Sequence, residues 1–96
     1  MARIVRSSDA KRDMADIACH IANDNPTAAE RWLDSVDRLL RVIAKNPEMG
    51  ESVNHLKQGL RRYTHGRYLL FYKPQPSGIL LYRVLHGARP IEDLFG

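Results

Sequence analysis

A chain of 96 residues with a formal net charge of +4 and one cysteine reads as a single domain, 1–96. It can bury roughly two-thirds of its unfolded surface with no metal or disulfide support. The lone Cys19 excludes an intrachain disulfide and any cysteine-based zinc cluster, and no window approaches the ~20 apolar residues of a membrane span. Met1-Ala2-Arg3 leads into no signal-peptide core, so a cytoplasmic protein with no membrane partner, cofactor or metal is expected.

Ala2 to Arg6 forms a short strand candidate, ended by Ser7-Ser8-Asp9. Ser8 or Asp9 is expected to cap a helix, and Asp9 also suits its positive end. Ala10, Met14, Ile17, Ala18 and Ile21 recur at helical spacing and turn Arg12, Asp16 and Cys19 outward, which makes Cys19 an idle surface thiol. Pro26 stops this helix by crowding the residue before it. Thr27 with Glu30 then suggests a capping box for a second helix, whose apolar face is Ala29, Trp32, Leu33, Val36, Leu39, Leu40 and Ile43. Asn46-Pro47 and Gly50 end it. So short a link makes the pair an antiparallel helical hairpin. Trp32 lies on the stripe and reads as a core anchor.

After a loop over residues 48–58, Gly59 to His65 reads as a strand that turns at Gly66. Two apolar runs follow, Tyr68 to Tyr72 and Ile79 to Leu85, and the breakers Lys73-Pro74-Gln75-Pro76-Ser77-Gly78 between them predict a β-hairpin. Each run is apolar at both parities, so the hairpin is the centre of a sheet covered on two sides. Gly87 to Pro90 breaks the last strand, and Ile91, Leu94 and Phe95 can fold back on the sheet. The fold class is α+β: an N-terminal strand, an antiparallel helical hairpin, then a three-stranded antiparallel meander.

Charge is segregated along this order. Residues 1–51 hold eight Lys/Arg and nine Asp/Glu, whereas residues 52–91 hold seven Lys/Arg and no carboxylate. A cationic sheet surface facing an anionic partner follows, unless the acidic helices neutralise it.

These residues carry a resemblance. Tyr68-Leu69-Leu70-Phe71-Tyr72-Lys73-Pro74, Gly78-Ile79 and Arg83-Val84-Leu85-His86-Gly87-Ala88-Arg89 resemble the ParE branch of the RelE/ParE superfamily of type II toxin-antitoxin systems. Asn25-Pro26-Thr27-Ala28-Ala29, Asn46-Pro47 with Gly50, and Gly59-Leu60-Arg61 extend the likeness over almost the entire chain. Two departures stand out: Glu51-Ser52, where such toxins often carry a basic residue, and Pro90, where they carry an acid.

The resemblance implies a RelE-like sheet covered by two helices, with the N-terminal strand beside the last one. It also implies a toxin that traps DNA gyrase by binding, so that replication stalls and DNA breaks, and that a ParD-like antitoxin neutralises; DNA is met only indirectly. The basic target-binding surface would be Arg61, Arg62, Arg83, His86 and Arg89. The antitoxin-binding groove would be Leu69, Phe71, Leu81, Leu94 and Phe95, because Ile91 to Phe95 is too short to cover the second sheet face alone. There an amphipathic tail would lie as a helix or add a strand at an edge. Free toxin would then be prone to aggregation or harmful without its partner, and replacing Arg83 and Arg89 by Ala should weaken toxicity with the fold intact.

The alternative is the RelE activity, ribosome-dependent cleavage of mRNA. Attack by the 2′-hydroxyl needs a proton acceptor, cations for the charged phosphorane and an acid for the leaving oxygen. Arg61, Arg62, Arg83 and Arg89 offer cations, and His65 or His86 a titrating ring. No carboxylate between residues 52 and 91 orients those rings, and no basic cluster with a terminal Tyr follows the last strand. His86, beside Gly87, has a structural reading too: its ring can bond the turn backbone. A plain nucleic-acid-binding module is the third reading, with Tyr63, Tyr68, Phe71, Tyr72 and Tyr82 as stacking rings, most of them needed for the core.

Overall fold

The computed structural model describes residues 2–91 and 95. The elements are β1 (Arg3–Arg6), α1 (Ser8–Asp24), α2 (Pro26–Lys45), β2 (Glu51–Ser52), β3 (Arg61–His65), β4 (Tyr68–Gln75) and β5 (Gly78–His86). The sheet order is β1-β5-β4-β3-β2, with β1 parallel to β5 and the other pairs antiparallel. The expected meander is therefore the centre of a five-stranded mixed sheet, and the N-terminal strand does lie beside the last one. The addition is β2, two exposed residues inside the expected 48–58 loop that pair with Arg61 and Arg62.

Both helix caps lie before the predicted positions. Ser7 caps α1, accepting the Ala10 N–H at 3.0 Å, while its hydroxyl donates to the Tyr82 carbonyl at 2.7 Å. Asn25 caps α2 by accepting from Ala28 N–H at 3.1 Å, with Pro26 in the first turn, where its missing N–H costs no helical bond. Thr27 is left inside the helix. The link between the helices is thus the single residue Asn25, and the helices run back along each other as a hairpin.

The sheet has a different cover on each face. On one side Ala10, Met14 and Ile17 of α1 and Val36, Leu40 and Ile43 of α2 pack on Leu70, Tyr72, Ile79, Leu81 and Val84. On the other, Phe71 and Leu85 are buried under Val53, Leu56 and Leu60 of the loop before β3, together with Ile91 and Phe95. Each fully buried aliphatic or aromatic side chain contributes about 1.5–3 kcal/mol. The expectation of a large uncovered second face is corrected here: the 53–60 loop, which forms turns rather than a strand or helix, joins Ile91 and Phe95 in covering it.

The hairpin turn is also tighter than the breakers implied. Strand β4 runs through Lys73, Pro74 and Gln75, and only Pro76 and Ser77 form the turn. Pro74 is tolerated because β3 ends its pairing at Tyr72, so the missing N–H faces no strand on that side. Gly78, with φ 157°, lies against β1 so closely that a Cβ there would stand 1.8 Å from the Arg3 carbonyl oxygen. That contact seats the parallel edge strand.

Candidate functional site

The predicted basic residues sit on β3, β5 and the turn after it, and their surroundings differ sharply. Between Phe71 and Tyr72 the β4·β5 register shifts, leaving Tyr82 as an extra residue on β5. Leu81 and Val84 both face the helices as a result, while Tyr82 and Leu85 face away. The bulge re-aims Arg83, between them, at α1. There its Nε and Nη2 donate to the two carboxylate oxygens of Asp13 at 2.7 and 3.0 Å, and Asp13 also accepts the Val84 N–H at 3.0 Å. The Asp13 side chain is 12% exposed and that of Arg83 21%. Hydrogen bonding to Asp13 raises the Arg83 pKa further, against the opposing effect of burial. Arg83 is thus a tie between α1 and the sheet, which corrects the expectation that its loss leaves the fold intact.

Arg62 faces away from the helices, opposite Phe71, and its Nε donates to Glu51 at 2.8 Å across the β2·β3 pair. The acidic residue that departs from the family pattern at position 51 thereby takes up one sheet cation. Arg61, on the helix side of β3, lines an open cavity of about 620 Å³ with Lys45, Pro47, Glu48, Met49 and Pro74. Arg89 is exposed and makes no ion pair among the described residues.

The two candidate histidines, His65 and His86, are held by structural bonds. His86 Nδ1 accepts the Ala88 N–H at 3.0 Å, closing the turn after β5, and its ring packs edge-on against Tyr68. Ser35 Oγ donates to the Trp32 carbonyl at 2.7 Å, so at 2.9 Å from His65 Nε2 it acts as the acceptor, and His65 carries its hydrogen on Nε2. Tyr68 packs edge-on against Trp32, whose indole N–H is buried with no partner among the described residues. Trp32 does serve as a core anchor.

The residues named for the antitoxin groove divide between the two faces. Leu81 belongs to the helix-side core, whereas Leu69, Phe71 and Phe95 belong to the opposite cluster. Phe71 is wholly buried, with the Phe95 ring 4.9 Å from it, and Leu69 and Phe95 remain half-buried at the surface. Leu94 lies outside the described residues. Cys19 is exposed, as expected of an idle thiol.

Sequence reasoning missed three further groups. Tyr72, fully buried, donates its hydroxyl to the Pro47 carbonyl at 2.7 Å and accepts the Gly50 N–H at 2.8 Å, pinning the turn after α2. Burial is the main cause of its raised pKa. Asp13 had no signal, being one more acid on a polar helix face. Lys57 and Lys73 place their ammonium groups 5.5 and 5.7 Å from the centre of the Tyr82 ring. Lys73 and Tyr82 were visible as near neighbours across the hairpin; Lys57 comes from the loop and was not.

Comparison with known families decides the lineage. Residues 4–91 match the family described as ParE toxin of type II toxin-antitoxin system, parDE. The chain belongs to the ParE toxin family. A comparison with curated proteins finds no match. Among solved structures, a chain of the chromosomal ParDE TA system from P. aeruginosa is similar at a TM-score of 0.72 and 16% identity, over 90% of this chain and 96% of that one. The likeness supports the ParE fold, which among the described residues comprises the five strands β1 to β5 and the helices α1 and α2. No helix among the described residues of this toxin is long and apolar enough to cross a membrane.

Proposed function

We propose that this ParE-family toxin inhibits DNA gyrase by binding it, without chemistry of its own, and that a ParD-like antitoxin neutralises it in the cytoplasm. The observation that carries the reading is the family match over residues 4–91. The geometry adds support against ribonuclease action. Arg83 is committed to Asp13, Arg62 to Glu51, His86 Nδ1 to the turn backbone and His65 Nε2 to Ser35. General acid-base work on RNA needs rings within reach of a substrate proton, and each of these groups already holds part of the fold together. In this reading Arg61, His86 and Arg89 meet gyrase directly, with Arg62 at the margin and Arg83 holding β5 in place. The antitoxin packs on the half-buried apolar surface around Leu69 and Phe95, over buried Phe71, with Leu94 beside it in sequence; Leu81 supports the sheet from behind.

The test is a gyrase supercoiling assay with purified toxin, run beside cleavage of ribosome-bound mRNA. Inhibited supercoiling with intact mRNA is expected, and reversal on addition of the antitoxin. Cut mRNA with unaffected gyrase refutes the reading in favour of the RelE-type activity.

A further inference from the structure

The helix-free face of the sheet carries a second cationic feature, distinct from the arginines of the proposed gyrase surface. Lys73 on β4 shares the outward parity of Phe71, and Tyr82 is the bulge residue of β5 facing the same way. Lys57 reaches the same ring from the loop that covers this face. Two like charges are therefore gathered around one aromatic ring, and their distances of 5.5 and 5.7 Å to its centre bound their separation at 11.2 Å. Neither makes an ion pair among the described residues, and no Asp or Glu occurs between residues 52 and 91 to supply one nearby in the chain. Cation–π attraction to Tyr82 offsets part of their repulsion. It holds the pair together without neutralising it.

We infer that Lys57, Tyr82 and Lys73 form a binding site for the phosphodiester backbone of a nucleic acid, read without sequence preference. Cation, ring, cation repeats the alternation of phosphate, sugar or base, and phosphate along a strand. A strand advances about 3.4 Å along the helix axis per nucleotide, so two ammonium groups no more than 11.2 Å apart are close enough to meet phosphates of the same short stretch. Phe95 stacks on Tyr82 with ring centres 5.8 Å apart and planes 24° apart, which braces the ring. Lysine suits such a site: a point charge on a flexible stem follows phosphates whose exact position varies. The inference stands apart from the gyrase reading, because nucleic acid alone suffices to test it.

The experiment is fluorescence anisotropy of a labelled mixed-sequence DNA duplex and, in a second arm, of a single-stranded RNA, titrated with toxin from low to moderate salt. The parent is compared with Lys57→Gln/Lys73→Gln and with Lys57→Arg/Lys73→Arg. Loss of two phosphate contacts should make the slope of log affinity against log salt shallower by about 1.8 on duplex or about 1.4 on the single strand. The arginine pair should keep the parental slope. The arm in which the glutamine pair reaches its expected reduction, about 1.8 on the duplex or about 1.4 on the single strand, identifies DNA or RNA as the source of the phosphates. Equal slopes for parent and glutamine variant, or no binding by the parent in either arm, overturn the site. So does a glutamine variant that loses gyrase inhibition with its salt slope unchanged, since the lysines would then face a protein.

Discussion

Replacing Arg83 by Ala removes one half of a largely buried pair and strands the other. Asp13 would keep one protein donor, the Val84 N–H, and lose two charge-assisted bonds. Breaking a buried ion pair by removing one partner costs about 3–5 kcal/mol, and the 12% and 21% exposures let water recover a share, so about 2–3 kcal/mol is expected here. For a domain of this size, even the lower figure lowers Tm by roughly 8–16 °C. Because Arg83 keeps its charge to a higher pH than an ordinary guanidinium, this contribution is complete throughout the neutral range and is lost only as strong alkali titrates the folded form. Thermal denaturation of Asp13→Ala, Arg83→Ala and the double variant gives the coupling directly: the double should cost much less than the two singles summed. Toxicity of Arg83→Ala should fall in step with the folded fraction and recover at lower temperature. A variant of unchanged Tm that has lost its toxicity would refute the structural assignment and make Arg83 a contact residue.

Four further variants test the same geometry. Tyr72→Phe leaves the Pro47 carbonyl and the Gly50 N–H without their partner, a loss of about 1–3 kcal/mol by chemical denaturation. With its folded pKa raised above 10.0, Tyr72 keeps its proton where the unfolded chain loses it, so parental stability should decline as pH rises from about 10, and the Phe variant should lack that decline. Gly78→Ala drives a Cβ into the β1 backbone and should cost about 3 kcal/mol or more, with loss of hydrogen-exchange protection concentrated in residues 3–6. Glu51→Ala breaks a pair whose acid is 60% exposed, so Tm should move by no more than the equivalent of about 1 kcal/mol. Arg89→Ala should reduce gyrase inhibition in the supercoiling assay while Tm stays within error, since the side chain is exposed.

What was legible followed from periodicity. Apolar residues at both parities of β4 and β5 required two covers, and the two helical stripes supplied one of them. Elements that lack a period, or whose period misleads, were not legible. Strand β2 has two exposed residues and exists because Glu51 and Ser52 pair with β3. The 53–60 loop covers Phe71 and Leu85 through Val53, Leu56 and Leu60, whose i, i+3, i+7 spacing suits a helix face that this turn-forming segment does not build. The cap errors share one cause: Ser7 and Ser8, or Asn25 and Thr27, are equally able acceptors, and the choice is made by the approach of the chain from β1 and from α1. The bulge at Tyr82 was equally silent, and with it the direction of Arg83.

That bulge decides how the charge segregation is to be read. Seven cations against no acid between residues 52 and 91 admit two explanations, neutralisation from the N-terminal half or a surface kept for an anion, and each holds for different residues. Arg62 and Arg83 find Glu51 and Asp13, whereas Lys57, Arg61, Arg67, Lys73 and Arg89 make no ion pair among the described residues. The two paired arginines link the sheet to β2 and to α1, so charge does structural work at two points. The remaining cations repel one another across one small domain, a cost that folding does not require and that an anionic partner would relieve. Stability should therefore rise with added salt in the free toxin, as screening removes that repulsion, and a denaturation series from low to moderate salt measures it. A Tm that falls with salt would mean that the paired arginines dominate the electrostatics and that the unpaired five impose no strain.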